Sequence, residues 1–443
     1  MRKGLGAAAR VIAAGSLLVV AAAGTALAQA GQTTKQDGKQ DGSSARAATS
    51  VSAPGSAGET RRAVATGTRI EGDGERTRFR LELTRPVVAQ IFVLGAPYRV
   101  VVDVADLEFK LPPSAGRSGH GLVSAFRYGL FAASKSRLVL DVTAPVLIEN
   151  AAFVPAHQGN PAHLAFDLVR IDAAKFAALK QSGPQREGTL ERPQPRAMPP
   201  AAKRATARPV IVIDPGHGGP DPGAVAGPDL LEKNVVLAVA RQLKAILAAG
   251  RRYDVHLTRN EDVFVSLDER LRLSRQYGAD LFISLHVDAL AETDAARSVR
   301  GATIYTLSER ASDETARRLA EKENASDLLA GLDAQPAAGE DDVRSILIDL
   351  IRRETANFST QFRNLLTDRL KGRIALSREP HRSAAFKVLK QSETPCVLLE
   401  LGYMSNAEDQ ARLRTPEWQR QVAQSVASAI DAYFAERLAG NQR

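Results

Sequence analysis

The sequence predicts an α/β domain, its sheet mostly parallel or mixed and flanked by helices, preceded by a small all-β sandwich. The prediction rests on a change of apolar period along the chain. Residues 63–175 hold short alternating segments parted by Gly- and Pro-containing turns, the mark of half-buried strands. From Val210 onward, continuous apolar runs alternate with segments of helical period, the mark of strands buried on both faces between helices. Between the two, residues 176–209 form a Pro-rich, charged linker. A length of 443 residues leaves room for two or three domains at ~150 residues each.

Within the first region, "FRLEL" sets Phe79, Leu81 and Leu83 on one face. The segments "RVVVDV" (99–104), "RLVLDV" (137–142) and "LAFDL" (164–168) resemble one another and hint at internal pseudo-symmetry. In the second region, "VIVID" (210–214) reads as a buried strand. A helix follows, with Val236, Val239, Ala240, Leu243 and Leu247 at helical spacing and Gly250 at its end. Further strands are expected at 255–258, at "DLFISLH" ending on His286, at 301–307 and at "CVLLELGY" (396–403). Ser266 and Glu269 form a capping box for the helix between the first two of these. A polar helical stretch at 312–329, a long helix at 342–370 and a C-terminal helix opening at Thr415-Pro416-Glu417 complete the list.

The N-terminus carries Arg2, Lys3 and Arg10, then an apolar stretch from Val11 to Ala23, then Ala26-Leu27-Ala28. That is the pattern of a secretory signal peptide over 1–28, with an apolar stretch shorter than the ~20 residues a membrane anchor needs. Residues 29–62 hold almost no large apolar side chains and read as a disordered spacer. The net charge of +9 and pI of about 9.7 favour anionic surroundings. No basic run is interleaved with aromatics, which argues against nucleic acid. Cys396 is the sole cysteine, so an internal disulfide and a multi-cysteine zinc site are both excluded.

Four residues gather at the predicted strand ends. His217 follows the first strand of the α/β region between glycines 216, 218 and 219. His286 closes another apolar strand, Glu400 interrupts a third, and Glu232 opens a helix. Each has a plain structural reading: turn residue, core histidine, ion-paired acid, and a first-turn carboxylate facing the helix dipole. Together, two histidines and a carboxylate with an open fourth position suit a catalytic zinc ion, and a further carboxylate suits a general base. A carboxylate in a buried strand is costly unless paired or metal-associated. A phosphate-binding loop is excluded, because no G-K-[S/T] follows the glycines. The residues by themselves point to a metallohydrolase.

The stretches "IVIDPGHGGPDPGA" (211–224), "LLEKN" (230–234), "VHLTRNEDVFVSLDERLRLSRQYGADLFISLHVDA" (255–289) and "VLLELGYMSN" (397–406) closely resemble the zinc-dependent N-acetylmuramoyl-L-alanine amidases, in the same order. The resemblance covers about 210–438. It implies zinc ligands at His217, Glu232 and His286, and the catalytic glutamate at Glu400. The β region, with "SAFRYGL" (124–130), is similar to that family's AMIN-type domain, which binds peptidoglycan and directs the enzyme to the division site. The resemblance implies a periplasmic protein acting on peptidoglycan. It also implies that the helical insertion at about 306–358 plugs the site until a LytM-domain activator withdraws it. Glu321 is the first candidate for the plugging carboxylate and Glu323 the second; a surface hairpin with solvated acids is the plain alternative. Two other functions fit less well: a peptidoglycan-directed zinc peptidase, and a non-catalytic wall-binding protein. Arg259 and Arg270 are expected in structural ion pairs, and His381 is placed near the site or on the surface. His120, His157, His163 and His256 fall outside the constellation, and Cys396 reads as a small buried residue.

Overall fold

The structure, a computed structural model, describes residues 17–19, 62–157, 160–182, 208–290, 298–332 and 346–440. The spacer, most of the signal segment and most of the linker lie outside these residues.

The β region forms a sandwich of two sheets, each of five strands once a short strand from the 1–28 segment, paired with residues 89–91, is counted. Strands β1 (Leu17–Val19), β2 (Ala63–Gly72), β3 (Arg76–Leu83), β4 (Ala89–Leu94), β5 (Arg99–Ala105) and β6 (Leu107–Phe109) come first. They are followed by β7 (Val123–Ala132), β8 (Lys135–Val142), β9 (Val146–Val154) and β10 (His163–Arg170). One sheet runs β1-β4-β5-β8-β7 and the other β6-β2-β3-β10-β9. Phe79, Leu81, Phe126, Leu140 and Phe166 fill the space between them. Two of the three look-alike segments are neighbours: β5 and β8 pair antiparallel, with Asp103 opposite Arg137 and Val101 opposite Val139. Arg137 grips the Asp103 carboxylate through two hydrogen bonds of 2.6 and 2.8 Å. The body of this region reaches past 175. Helix α1 (Ala173–Ser182) follows β10, and its Phe176 packs edge-on against Tyr98 at 5.2 Å.

The α/β region holds one six-stranded sheet. Its elements are β11 (Val210–Pro215), a two-residue pair β12 (Val225–Ala226) and β13 (Leu230–Leu231), α2 (Glu232–Ala249), β14 (Asp254–Leu257), α3 (Leu267–Tyr277) and β15 (Leu281–Asp288). Then come β16 (Ala302–Leu307), α4 (Glu314–Asn324), α5 (Ser326–Leu329), α6 (Ile346–Leu370), β17 (Leu376–Ala384), β18 (Cys396–Tyr403), α7 (Ala407–Leu413) and α8 (Pro416–Gly440). The strand order is β14-β11-β15-β18-β16-β17. The first four run parallel; β16 is antiparallel to β18, and β17 parallel to β16. The sheet is therefore mixed. Helices α2, α6 and α8 cover one face through Val236, Val239, Leu243, Phe362, Leu366 and Val426. The shorter α3 and α4 cover the other, where Val212, Phe282, Tyr305 and Leu398 meet Leu267, Ala316 and Leu319. Ser266 caps α3 by accepting from the Glu269 amide, as the sequence predicts. Among the described residues no helix is long and apolar enough to cross a membrane.

Candidate metal centre

Three parallel strands bring the site together. The loop 216–223 leaves the carboxyl end of β11, His286 stands near the end of β15, and Glu400 stands opposite it on β18. Sheets of this kind place ligands beyond the carboxyl ends of their strands. Glu232 is the first residue of α2 and faces the same edge.

The loop is built for close approach. His217 itself has a left-handed backbone, φ +57°. A Cβ on Gly216 would lie 2.5 Å from the His286 ring, and one on Gly223 would lie 2.5 Å from the Glu232 carboxylate. Only glycine leaves room at both places. Two buried arginines hold the loop from beneath. Arg270 donates to Asp214 at 2.6 Å and to the carbonyls of Pro215 and His217 at 2.8 and 2.9 Å. Arg259 donates to the carbonyls of Pro215, Gly216 and Lys233 at 2.9, 2.7 and 2.8 Å. The ion pair expected of Arg270 is present. Arg259 instead braces main-chain carbonyls, a role no residue pattern announces. Burial opposes charge on Asp214, yet Arg270, Thr258 and Ser284 together hold its carboxyl below the usual range.

His217 Nδ1 lies 2.8 Å from Asp221 Oδ2. An ionised carboxylate only accepts, so Nδ1 carries the hydrogen and Nε2 turns its lone pair inward. Asp221 is a partner the sequence reading did not single out. Its place four residues after His217 in "HGGPD" was the available signal.

The inward atoms converge. Glu232 Oε1 lies 3.0 Å from His217 Nε2 and 3.1 Å from His286 Nδ1. Glu323 Oε2, from α4, lies 3.2 Å from each of the same two nitrogens. A tetrahedral zinc site with ~2.0 Å bonds has edges of ~3.3 Å, so these four separations match four edges of such a tetrahedron. His217, His286 and Glu323 each place one donor atom within 4.8 Å of the others. Neither His217 Nε2 nor Glu323 Oε2 has a hydrogen-bond partner, although both are buried. The remaining lone pairs of Glu232 are used: Oε1 accepts from the Val287 amide at 2.8 Å and Oε2 from the Ala224 amide at 2.7 Å. Burial opposes protonation of the histidines, but Asp221 and Glu232 raise His217 well above the ordinary imidazole value, and Glu323 and Glu232 raise His286 to about 10. A nest of acids that holds two imidazoles this way is a place that demands positive charge. The residues present fit a divalent ion, and their nitrogen and oxygen donors fit zinc.

Glu400 is fully buried, and neither of its carboxylate oxygens has a hydrogen-bond partner. Burial first, and then Asp288, push its pKa well above the carboxylate range. A carboxylate kept free of partners beside such a centre is available to take and return a proton.

The two acids named on the insertion part company. Ala316, Leu319, Ala320 and Glu323 form the buried stripe of α4. Glu321 lies on the opposite, solvated face, its side chain 62% exposed and paired with Arg317. The first candidate for the plug is thus turned away from the site and the second reaches it, because the helical period that seats Leu319 also points position 323 inward. Lys322 adds a bond of 2.9 Å to Asp288, at the end of β15. His381 stands away from the centre, hydrogen-bonded to Thr367 at 2.7 Å. His256 stacks on Tyr277 at 4.0 Å, and His120 bonds the Gly72 carbonyl at 2.8 Å. Cys396 is buried in the sheet, and burial pushes its thiol up to about 12.

Comparison with known proteins agrees with this geometry. A family model described as N-acetylmuramoyl-L-alanine amidase matches residues 211–432. The N-acetylmuramoyl-L-alanine amidase AmiC of Escherichia coli O6:H1 is 32% identical over 370 residues, covering 81% of this chain and 87% of that one. AmiC of Neisseria meningitidis serogroup B is 32% identical over 390 residues, covering 83% and 89%. AmiA of Escherichia coli K12 is 35% identical over 237 residues, covering 53% of this chain and 79% of that one. Half the chain matches the family model, and the two AmiC matches run through the β region as well. The chain belongs to the N-acetylmuramoyl-L-alanine amidase family and is a hydrolase of that amide bond.

Proposed function

We propose that this amidase is zinc-dependent, that it works on peptidoglycan in the periplasm during wall remodelling and daughter-cell separation, and that it is held inactive by its own α4. His217, Glu232 and His286 would hold the ion, and Glu323, against the same two histidine nitrogens, would block the place that the substrate needs open. A bound ion would supply Lewis acidity, lowering the pKa of water to ~7 and polarising the carbonyl. Glu400 accepts the proton of the attacking water. It then delivers that proton to the departing nitrogen of L-alanine, which leaves as a free amine. Asp221 fixes the His217 tautomer throughout. The β-sandwich is an AMIN-type module that binds the wall, and a LytM-domain activator draws α4 away. The export pattern at 1–28 supports the compartment.

The observation that carries the plugged reading is Glu323 Oε2 at 3.2 Å from both histidine nitrogens. A solvated surface acid would not occupy that point. The test is digestion of purified sacculi by the full chain and by Glu323→Ala, each with zinc and with chelator. Release of peptides beginning with L-alanine should be slow for the native chain, at least tenfold faster for Glu323→Ala, and absent with chelator. Equal rates for both proteins would remove autoinhibition. Cleavage inside the peptide would favour the peptidase reading instead.

A further inference from the structure

The β-sandwich does more than stand beside the α/β region. Its outer sheet face, β4-β5-β8-β7, is covered by the segment that follows the plug. Three guanidiniums from that face reach five consecutive main-chain carbonyls. Arg99 donates to Leu328 and, at 3.3 Å, to Leu332. Arg127 donates to Leu329 at 2.6 Å. Arg137 donates to Ala330 at 3.2 Å and to Gly331 at 3.1 Å. Gly331, with φ +75°, lies flush on the sheet: a Cβ there would be 3.0 Å from Val101 and 3.1 Å from Val139. Those two valines point away from the sandwich core, yet both are 0% exposed. Ala330 is fully buried in a cluster with Phe131 of β7 and Phe264. The two phenyl rings stack at 5.5 Å. Beside them, the Phe264 amide donates to the Leu130 carbonyl at 3.0 Å.

We propose that this sheet face is the receptor for residues 328–332, and that the β-sandwich thereby latches the plug in the metal site. The inference rests on the plugged reading above. Glu323 and Leu328 are five residues apart, at most about 17 Å of fully extended chain. The helical turns of α4 and α5 take up most of that reach. Between them, Asn324 is tied to the Ala385 carbonyl at 2.9 Å and to the Lys387 amide at 2.7 Å, and Asp327 accepts from the Leu267 amide at 3.0 Å. Little slack remains for α4 to rise while 328–332 stay seated. Release of the plug and release of the sheet face are one motion, so the state of the wall-directed region bears on the state of the active site.

The experiment uses the full chain with three separate substitutions. Arg99→Ala removes the guanidinium that spans the seat, and Gly331→Val wedges a branched side chain against Val101 and Val139 without altering the sandwich. Glu323→Ala serves as the reference for an unplugged site. Peptide release from sacculi is measured without activator, and hydrogen exchange is followed at the amides of 314–332. Both latch variants should release peptide about tenfold faster than the native chain, the worth of one charge-assisted hydrogen bond, and should exchange faster along α4. If Glu323→Ala is faster while both latch variants match the native chain in rate and exchange, the latch is overturned and the plug stands. If Glu323→Ala gives no increase, the plugged reading fails and the latch falls with it.

Discussion

His217 and Glu400, the proposed ligand and the proposed base, are held in opposite electrostatic settings. His217 is surrounded by acids, which fix its tautomer and draw positive charge to its inner nitrogen. Glu400 is buried without a hydrogen-bond partner, which keeps its carboxylate basic. The two can be separated by substitution. Glu400→Ala should keep the metal, measured by bound zinc per chain, while turnover falls by ~10²–10⁴. Asp221→Ala should leave the base in place and weaken metal affinity by ~10–100-fold, read by competition with a chelating dye. Near-native turnover in the first variant, or native affinity in the second, would remove the assigned role.

The loop after β11 and helix α4 show what an element adds to its residues. The loop depends on Arg270, both buried and paired with the buried Asp214. Arg270→Ala should cost about 3–5 kcal/mol in urea denaturation, because it strands a carboxylate away from water. The exposed pair Arg272–Glu269 should be worth less than about 1 kcal/mol by the same measurement. The Asp214 carboxyl is held below its unfolded value. Its contribution is therefore in place above about pH 4 and is lost as the pH falls through the native value. Arg270→Ala should accordingly flatten the acid limb of the stability curve. Much of this region was legible in the sequence, since apolar period and capping residues specify β11, α2, α3, β15, β18 and α8. β17 was not, because "LSREPHRSA" is a polar edge strand with a proline and no alternation. The choice between Glu321 and Glu323 was written in the Ala316-Leu319-Ala320 spacing, but it needs to be known which face of α4 is buried. The hold of Arg259 on four carbonyls has no signature at all, because every residue offers a carbonyl.

Across the whole molecule, the two regions share a boundary that composition does not foresee. The runs "RVVVDV" and "RLVLDV" are buried on both faces of an antiparallel sheet, where one face is commonly solvated. The cover over Val101 and Val139 comes from residues more than 180 positions further along the chain. The lone thiol offers a clean gauge of the fold. Cys396 sits in the middle of the α/β sheet with its thiol neutral. Alkylation should be negligible in the native protein and should rise with the same urea midpoint as the loss of circular dichroism. Prompt labelling in native buffer would mean that β18 opens on its own.

The pairing of β15 with β18 sets His286 directly opposite Glu400. The backbone spacing between the proposed metal ligand and the proposed base is thus one rung of the ladder, about 4.8 Å wide. A slip of one residue between these strands would turn Glu400 to the far side of the sheet. The register is digital: paired this way, the strands set His286 and Glu400 side by side; slipped by one residue, they do not.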